Sequence, residues 1–147
     1  MAIIPVFIPH AGCPHQCVFC NQKTISGQQT ASSRDVEQQL ERYLQWIKPG
    51  PSNEAAFYGG SFTGLPADLQ TELFRPVDKL LAEGVIGSVR LSTRPDYIDA
   101  ARLELLQAHG VKTVELGVQS LDDNVLAAAE RGHQATDCLL YTSPSPR

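Results

Sequence analysis

No stretch of this chain approaches the roughly 18 consecutive apolar residues that a membrane-spanning helix requires. No low-complexity segment interrupts the first 137 residues. Met1 to Pro9 is apolar, but it is about half the length of a secretory leader core with its flanks and lacks their basic start. Positive charge is also short: 12 Lys and Arg stand against 16 Asp and Glu, a formal net charge of −4. Phosphate contacts need clustered Lys and Arg, so this balance gives no electrostatic support for nucleic-acid binding by these residues. Cysteine is scarce, with four in 147 residues. Three of them form an odd, closely spaced set, which without a secretory signal argues against a disulfide framework and for a reducing, cytoplasmic setting. What remains is the composition of one globular domain, 42% hydrophobic.

Three of the cysteines fall within eight residues, Cys13-Pro-His-Gln-Cys17-Val-Phe-Cys20. A tight loop can turn three thiolates toward one point, where they would hold three corners of a 4Fe–4S cluster. Such clusters ordinarily take four cysteines. A fourth iron without a protein ligand is an open Lewis acid, as a catalytic zinc keeps one position free. Two plainer readings compete. The three cysteines with His10 or His15 could form a structural zinc site. A ferredoxin-like electron-transfer module would need a fourth cysteine, and none stands at such a spacing.

The last ten residues, Cys138-Leu-Leu-Tyr-Thr-Ser-Pro-Ser-Pro-Arg147, break the preceding pattern. They resemble the in-frame translation of a transposase sequencing adapter beginning TGT CTC TTA TAC ACA; an ordinary disordered Ser/Pro tail is the plainer reading. We therefore expect residues 1–137 to be the N-terminal part of a larger domain and residues 138–147 to be an artefactual, disordered tail. Cys138 is set aside as a ligand, and without Arg147 the formal charge becomes −5.

Short β-rich runs alternate with helical patterns. Ile3–Ile8, Ala55–Tyr58, Val89–Ser92 and Val114–Val118 read as buried strands, the first irregular at its start because Pro5 cannot donate to a ladder. Ser32 with Asp35 predicts a capped helix carrying Val36, Leu40, Tyr43, Leu44 and Ile47. A second helix starts at Pro66, carries Leu69, Leu73, Val77, Leu80 and Leu81, is kinked or split by Pro76, and stops at Gly84. Asp96 is expected to cap a third helix bearing Ile98, Ala101, Leu105 and Leu106, stopped by Gly110. A fourth begins near Asp122 or Asp123 and holds Val125 and Leu126. Strand–helix alternation of this kind implies an α/β fold with a parallel sheet, either an open doubly wound sheet or the first four βα units of a barrel.

Ligands of parallel α/β folds bind where strands run into helices. The cysteine loop, Gly59-Gly60-Ser61-Phe62-Thr63-Gly64, Ser92-Thr93-Arg94-Pro95-Asp96 and Gln119-Ser120 all fall at such ends. Period two also turns Arg90, Ser92 and Arg94 on one strand, and Glu115, Gly117 and Gln119 on the next, toward the interior. Arg90 and Glu115 should form an ion pair there, since a lone buried charge costs several kcal/mol, on the order of 3–5.

The Cys13/Cys17/Cys20 spacing, with Phe19 before the last cysteine, resembles the signature of radical S-adenosylmethionine (SAM) enzymes. Phe7-Ile-Pro-His10, the glycine-rich segment to Gly64, Thr93-Arg-Pro-Asp-Tyr97, Glu115-Leu-Gly-Val-Gln-Ser120 and Arg131-Gly-His133 resemble the Elongator catalytic-subunit branch of that superfamily. The resemblance implies a partial (β/α)6 barrel, of which about four units are present. It implies a 4Fe–4S cluster on Cys13, Cys17 and Cys20, with SAM contacts from Gly59, Gly60, Ser61, Gln119 and Arg131; Arg94, which alternation places at the same mouth, is a further candidate contact. It also implies cleavage of SAM to a 5′-deoxyadenosyl radical, an electron donor as partner, and tRNA wobble-uridine modification, with tRNA bound through regions beyond this chain and no membrane. Relatives often carry glutamate where this chain has Ser92. Gly-Val-Gln-Ser and Arg-x-His are shared with coproporphyrinogen oxidases, so a haem-handling relative is the rival among enzymes, and an iron–sulfur or zinc module the rival outside them.

Overall fold

The computed structural model describes residues 1–8, 13, 15–20 and 31–139. His10, the Pro9-His10 end of the first motif and residues 140–147 of the tail lie outside the described residues. Four parallel strands, β1 (Ile3–Phe7), β2 (Glu54–Tyr58), β3 (Ser88–Thr93) and β4 (Val111–Leu116), form one sheet in sequential order. Between and after them come α1 (Ser33–Leu44), α2 (Ala67–Ala82), α3 (Ala100–Ala108), α4 (Asp123–Ala128) and α5 (Ala135–Leu139). This is the expected α/β architecture of a partial (β/α) barrel.

Helix starts follow local chemistry. Ser32 and Asp35 form a reciprocal capping box at α1. The N-cap of α3 is Asp99, whose carboxylate accepts from the Arg102 backbone N–H. Asp96 had been expected to cap α3, but its carboxylate is taken by the Arg94 guanidinium. Asp122 caps α4. Of the kink or split expected at Pro76, no split occurs: helix α2 runs continuously from Ala67 to Ala82. The boundary expected at Asp137 falls within α5, where Cys138 is buried.

The core lies on the helix side of the sheet. Ile4, Val6, Ala55, Phe57, Val89 and Leu91 pack under Val36 and Leu40 of α1 and Leu73, Phe74, Val77 and Leu80 of α2. Sequence periodicity anticipated that side of α2 except Phe74, which stacks on His109 at the end of α3.

Strand β1 is regular, despite Pro5. The Ala2 carbonyl accepts from Glu54 N–H and Ile8 N–H donates to the Tyr58 carbonyl, so even-numbered residues face β2. Pro5 therefore points its missing donor at the open edge, where no ladder bond is lost. On that edge the Gln39 amide accepts from Phe7 N–H at 2.8 Å and donates to Phe7 C=O at 2.9 Å. Those backbone groups are closed to further strand pairing.

Between β3 and β4 the register slips: Val89 pairs with Val111, but Arg90 pairs with Thr113 and Ser92 with Glu115. Arg90 and Glu115 are therefore not level across the two strands. The ion pair forms nevertheless, at 2.8 Å, because the guanidinium reaches along the strand. Glu54 of β2, which no local pattern marks as a partner, closes the other side of Arg90 at 3.0 Å.

Candidate functional site

The loops leaving the four strands meet around a cavity of about 410 Å³. Cys13, Phe19 and Cys20 line it from the loop after β1, and Tyr58, Gly59, Gly60 and Ser61 from the end of β2. Ser92 and Thr93 end β3 beside it; Glu115, Leu116, Gly117, Gln119 and the later Arg131 complete the wall. Of the sequence-predicted residues, Cys13, Cys20, Gly59, Gly60, Ser61, Gln119 and Arg131 are thus brought together. Cys17 is buried beside Arg131, and Arg94 is buried outside the lining.

Each wall has a local cause. Gly59 has φ +100°, and a Cβ there would lie 2.5 Å from the Ile8 carbonyl oxygen. Only glycine lets the β2 turn close against the end of β1. Ser61 is buried and its hydroxyl is committed to the protein: it bonds Thr93 Oγ1 at 2.9 Å and accepts from Arg94 N–H at 3.3 Å. Thr63 Oγ1 joins the same threonine at 2.5 Å. This buried hydroxyl trio stitches the loops after β2 and β3 together. Thr63 and Thr93 sit inside motifs singled out from sequence, but nothing local marked them as partners.

Gln119 reaches the cavity by a different route from the one expected. Strand β4 ends at Leu116, short of the expected Val118, so side-chain alternation does not extend to Gln119. Two tight turns follow, Val118 N–H to Leu116 C=O and Ser120 N–H to Val118 C=O, and Gln119 takes φ +69°. A non-glycine residue in the left-handed region is uncommon and is concentrated at functional sites.

Positive charge gathers behind the cysteines. Arg131 is buried, directs Nη1 to Cys17 Sγ at 3.5 Å and donates through Nη2 to the Gly117 carbonyl. Its Nε is buried without a hydrogen-bond partner among the described residues. Arg94 forks onto Asp96 at 2.9 and 3.0 Å. Burial works against the charge on Arg94, but Asp96 and then the Cys13 and Cys17 sulfurs outweigh it and hold the guanidinium protonated. His133, 3.5 Å from Arg94 Nη2, is pushed below the usual imidazole range by burial, then by Arg131 and Arg94. Neutral His133 therefore adds no third positive charge at pH 7.

Cys13, Cys17 and Cys20 form no disulfide. Among the described residues no three His, Cys, Asp or Glu side chains already converge as a metal site. His15, the described zinc candidate, packs its ring against Gly132. A donor set of three thiols backed by two arginines suits an anionic sulfur-ligated cluster, because each cation can hydrogen-bond a ligating sulfur. No helix among the described residues is long and apolar enough to cross a membrane.

The Radical SAM superfamily profile matches residues 7–139. The chain is 42% identical over 55 residues to the tRNA uridine(34) acetyltransferase of Dehalococcoides mccartyi, covering 34% of this chain and 12% of that one. It is 28% identical to the heme chaperone HemW of Bacillus subtilis, over 89% of this chain and 35% of that one. The solved structure of Methanocaldococcus infernus Elp3, lacking its N-terminus, superposes with a TM-score of 0.63 at 18% identity, covering 93% of this chain and 33% of that one. The chain spans less than half the length of the curated relatives it matches. With nearly its whole described length inside the family profile, the chain belongs to the radical SAM superfamily.

Proposed function

We propose that this chain carries the cofactor end of a radical SAM enzyme of the Elongator-like branch, with a 4Fe–4S cluster on Cys13, Cys17 and Cys20. The observation that carries the reading is the meeting of the cysteine loop with the glycine-rich, Gln119 and Arg131 walls around one cavity. When bound, the cluster supplies the electron that cleaves SAM. The chain's own residues do the holding. Gly59 and Gly60 expose backbone to the ligand, while Gln119 offers a side-chain amide from its left-handed turn. Arg131, whose Nε–H has no hydrogen-bond partner among the described residues, offers a charged donor suited to a carboxylate. Ser61 and Thr93 keep the loops in place.

The proposed substrate is a tRNA wobble uridine. The Thr93–Tyr97 and Glu115–Ser120 motifs and the likeness to a tRNA uridine(34) acetyltransferase support it. A haem-handling relative is the second reading, supported by the likeness to HemW along most of the chain. Anaerobic reconstitution of the full-length protein should give about four iron and four sulfide per chain and SAM-dependent 5′-deoxyadenosine. Replacing Cys13, Cys17 or Cys20 by Ala should abolish both. Zinc as the only tightly bound metal would sink the reading. Mass spectrometry of tRNA from a strain lacking the gene separates the two substrates: loss of a wobble-uridine modification favours tRNA, and unchanged tRNA removes it.

A further inference from the structure

Arg94 is the most deeply buried cation of the site, with its side chain 4% exposed. A guanidinium has five N–H donors, and one taken out of water is costly unless they are answered. Two of them fork onto Asp96, and Nη2 also reaches the Arg131 carbonyl at 2.6 Å. Nη1 is the arm left over, and it faces Cys13 Sγ at 3.9 Å. That is long for a neutral thiol, but a ligating thiolate would make it a charge-assisted contact.

The partners of Arg94 widen its reach. The carbonyl it holds belongs to Arg131, whose own Nη1 faces Cys17 Sγ. Next in the chain, Gly132 has φ +76°, and the His15 ring fills the space a Cβ would take. Two residues before Arg131, the Ala129 carbonyl accepts from Val18 N–H at 3.2 Å. Residues 129–132 thus form a seat for the cysteine loop, and Arg94 clamps that seat from the segment just after β3. Asp96, two residues on in the same motif, aims the clamp.

We propose that Arg94 is a positioning residue for the three-cysteine loop: it fixes a positive charge against Cys13 and holds the segment on which Cys17 rests, so that cluster retention and reduction potential both depend on it. The proposal rests on the cluster reading above. Net charge and hydrogen bonds to the sulfurs set iron–sulfur potentials. A fixed cation favours the reduced, more negative state and raises the potential.

The test uses the reconstituted full-length protein, with Arg94→Gln, Arg94→Lys and, as a control for loss of one charge elsewhere, Arg34→Gln on the exposed side of α1. Midpoint potential is read by redox titration followed by electron paramagnetic resonance, and retention by the rate at which a chelator removes iron. Arg94→Gln should shift the midpoint negative and lose iron severalfold faster. Arg94→Lys keeps the charge but loses the fork, so its midpoint should stay near that of the parent while iron loss quickens. Arg34→Gln should match the parent in both. Parent-like potential and iron loss in Arg94→Gln overturn the proposal. If that variant takes up no cluster, Arg94→Lys decides: parent-like retention overturns the clamp, and faster loss supports it. A parent protein that binds zinc or no metal overturns the cluster reading itself, a result distinct from parent-like variants of a loaded protein.

Discussion

On the helix side of the sheet, Val89 and Leu91 of β3 are fully buried among Phe57, Phe74 and Leu106. On the other side of the same strand, Ser88, Arg90 and Ser92 meet Glu54 and Glu115 in a chain of hydrogen bonds between 2.8 and 3.1 Å. Burial on the first face is non-directional, so any well-shaped apolar side chain serves. Pairing on the second depends on where each donor points, and Arg90 answers a carboxylate on each neighbouring strand. The helix face should govern stability and the interior face should govern registration and pH response.

The largest expected effect is on the helix face. Phe57 packs against Phe62 and Phe74 with ring centroids 4.8 and 5.6 Å away. Phe57→Ala should cost about 3–5 kcal/mol in chemical denaturation. A loss below about 1 kcal/mol, the range of volume-conserving swaps, would mean the helix face is not the stabilising one. Next comes the rim between the faces: Gly59→Ala must fit a Cβ against the Ile8 carbonyl at φ +100°, and should cost about 1–3 kcal/mol. Unchanged stability in the same assay would show that the turn can relax.

Arg90→Met should destabilise less than Phe57→Ala, because Glu115 keeps access to water. Adding Glu115→Gln should recover part of the loss, since it removes one of two carboxylates left without their cation. Equal losses for single and double variants would mean that Arg90 acts through Glu54 alone.

The smallest effect is a pH slope in the metal-free protein. His133 is held below its ordinary 6.5 by burial, then by Arg131 and Arg94, so the unfolded chain takes up a proton the folded one resists. That contribution is complete above pH 6.5 and is lost as pH falls through the folded value. Glu115 is held below its ordinary 4.5 chiefly by the Arg90 hydrogen bond, and its contribution is lost at lower pH in the same direction. Denaturation midpoints should therefore decline below about pH 6.5, and His133→Gln should flatten that first decline. A midpoint rising on acidification would contradict both.

Much of this was legible from local sequence. Periodicity marked four strands in order and the apolar sides of α1 and α2, because those patterns report burial against a neighbour whatever its identity. The capping box at Ser32, the cap at Asp122 and the turns at Gly84 and Gly110 needed only a few adjacent residues. The spacing of Cys13, Cys17 and Cys20 marked them as a candidate ligand set. The regularity of β1 at Pro5 was hidden, since it depends on which edge of the sheet the strand occupies.

Tertiary structure decided the rest. Cysteine spacing could not show that Arg94 faces Cys13 or that Arg131 faces Cys17, partners 81 and 114 residues apart in the chain. Nor could alternation foresee the slip after Val89 that set Glu115 opposite Ser92, or the turn that brings Gln119 to the cavity. The reason is physical: residue type and spacing encode what a side chain needs, a buried surface or a charge partner. Which partner meets that need is settled only when the strands pair and their loops are drawn to one end of the sheet.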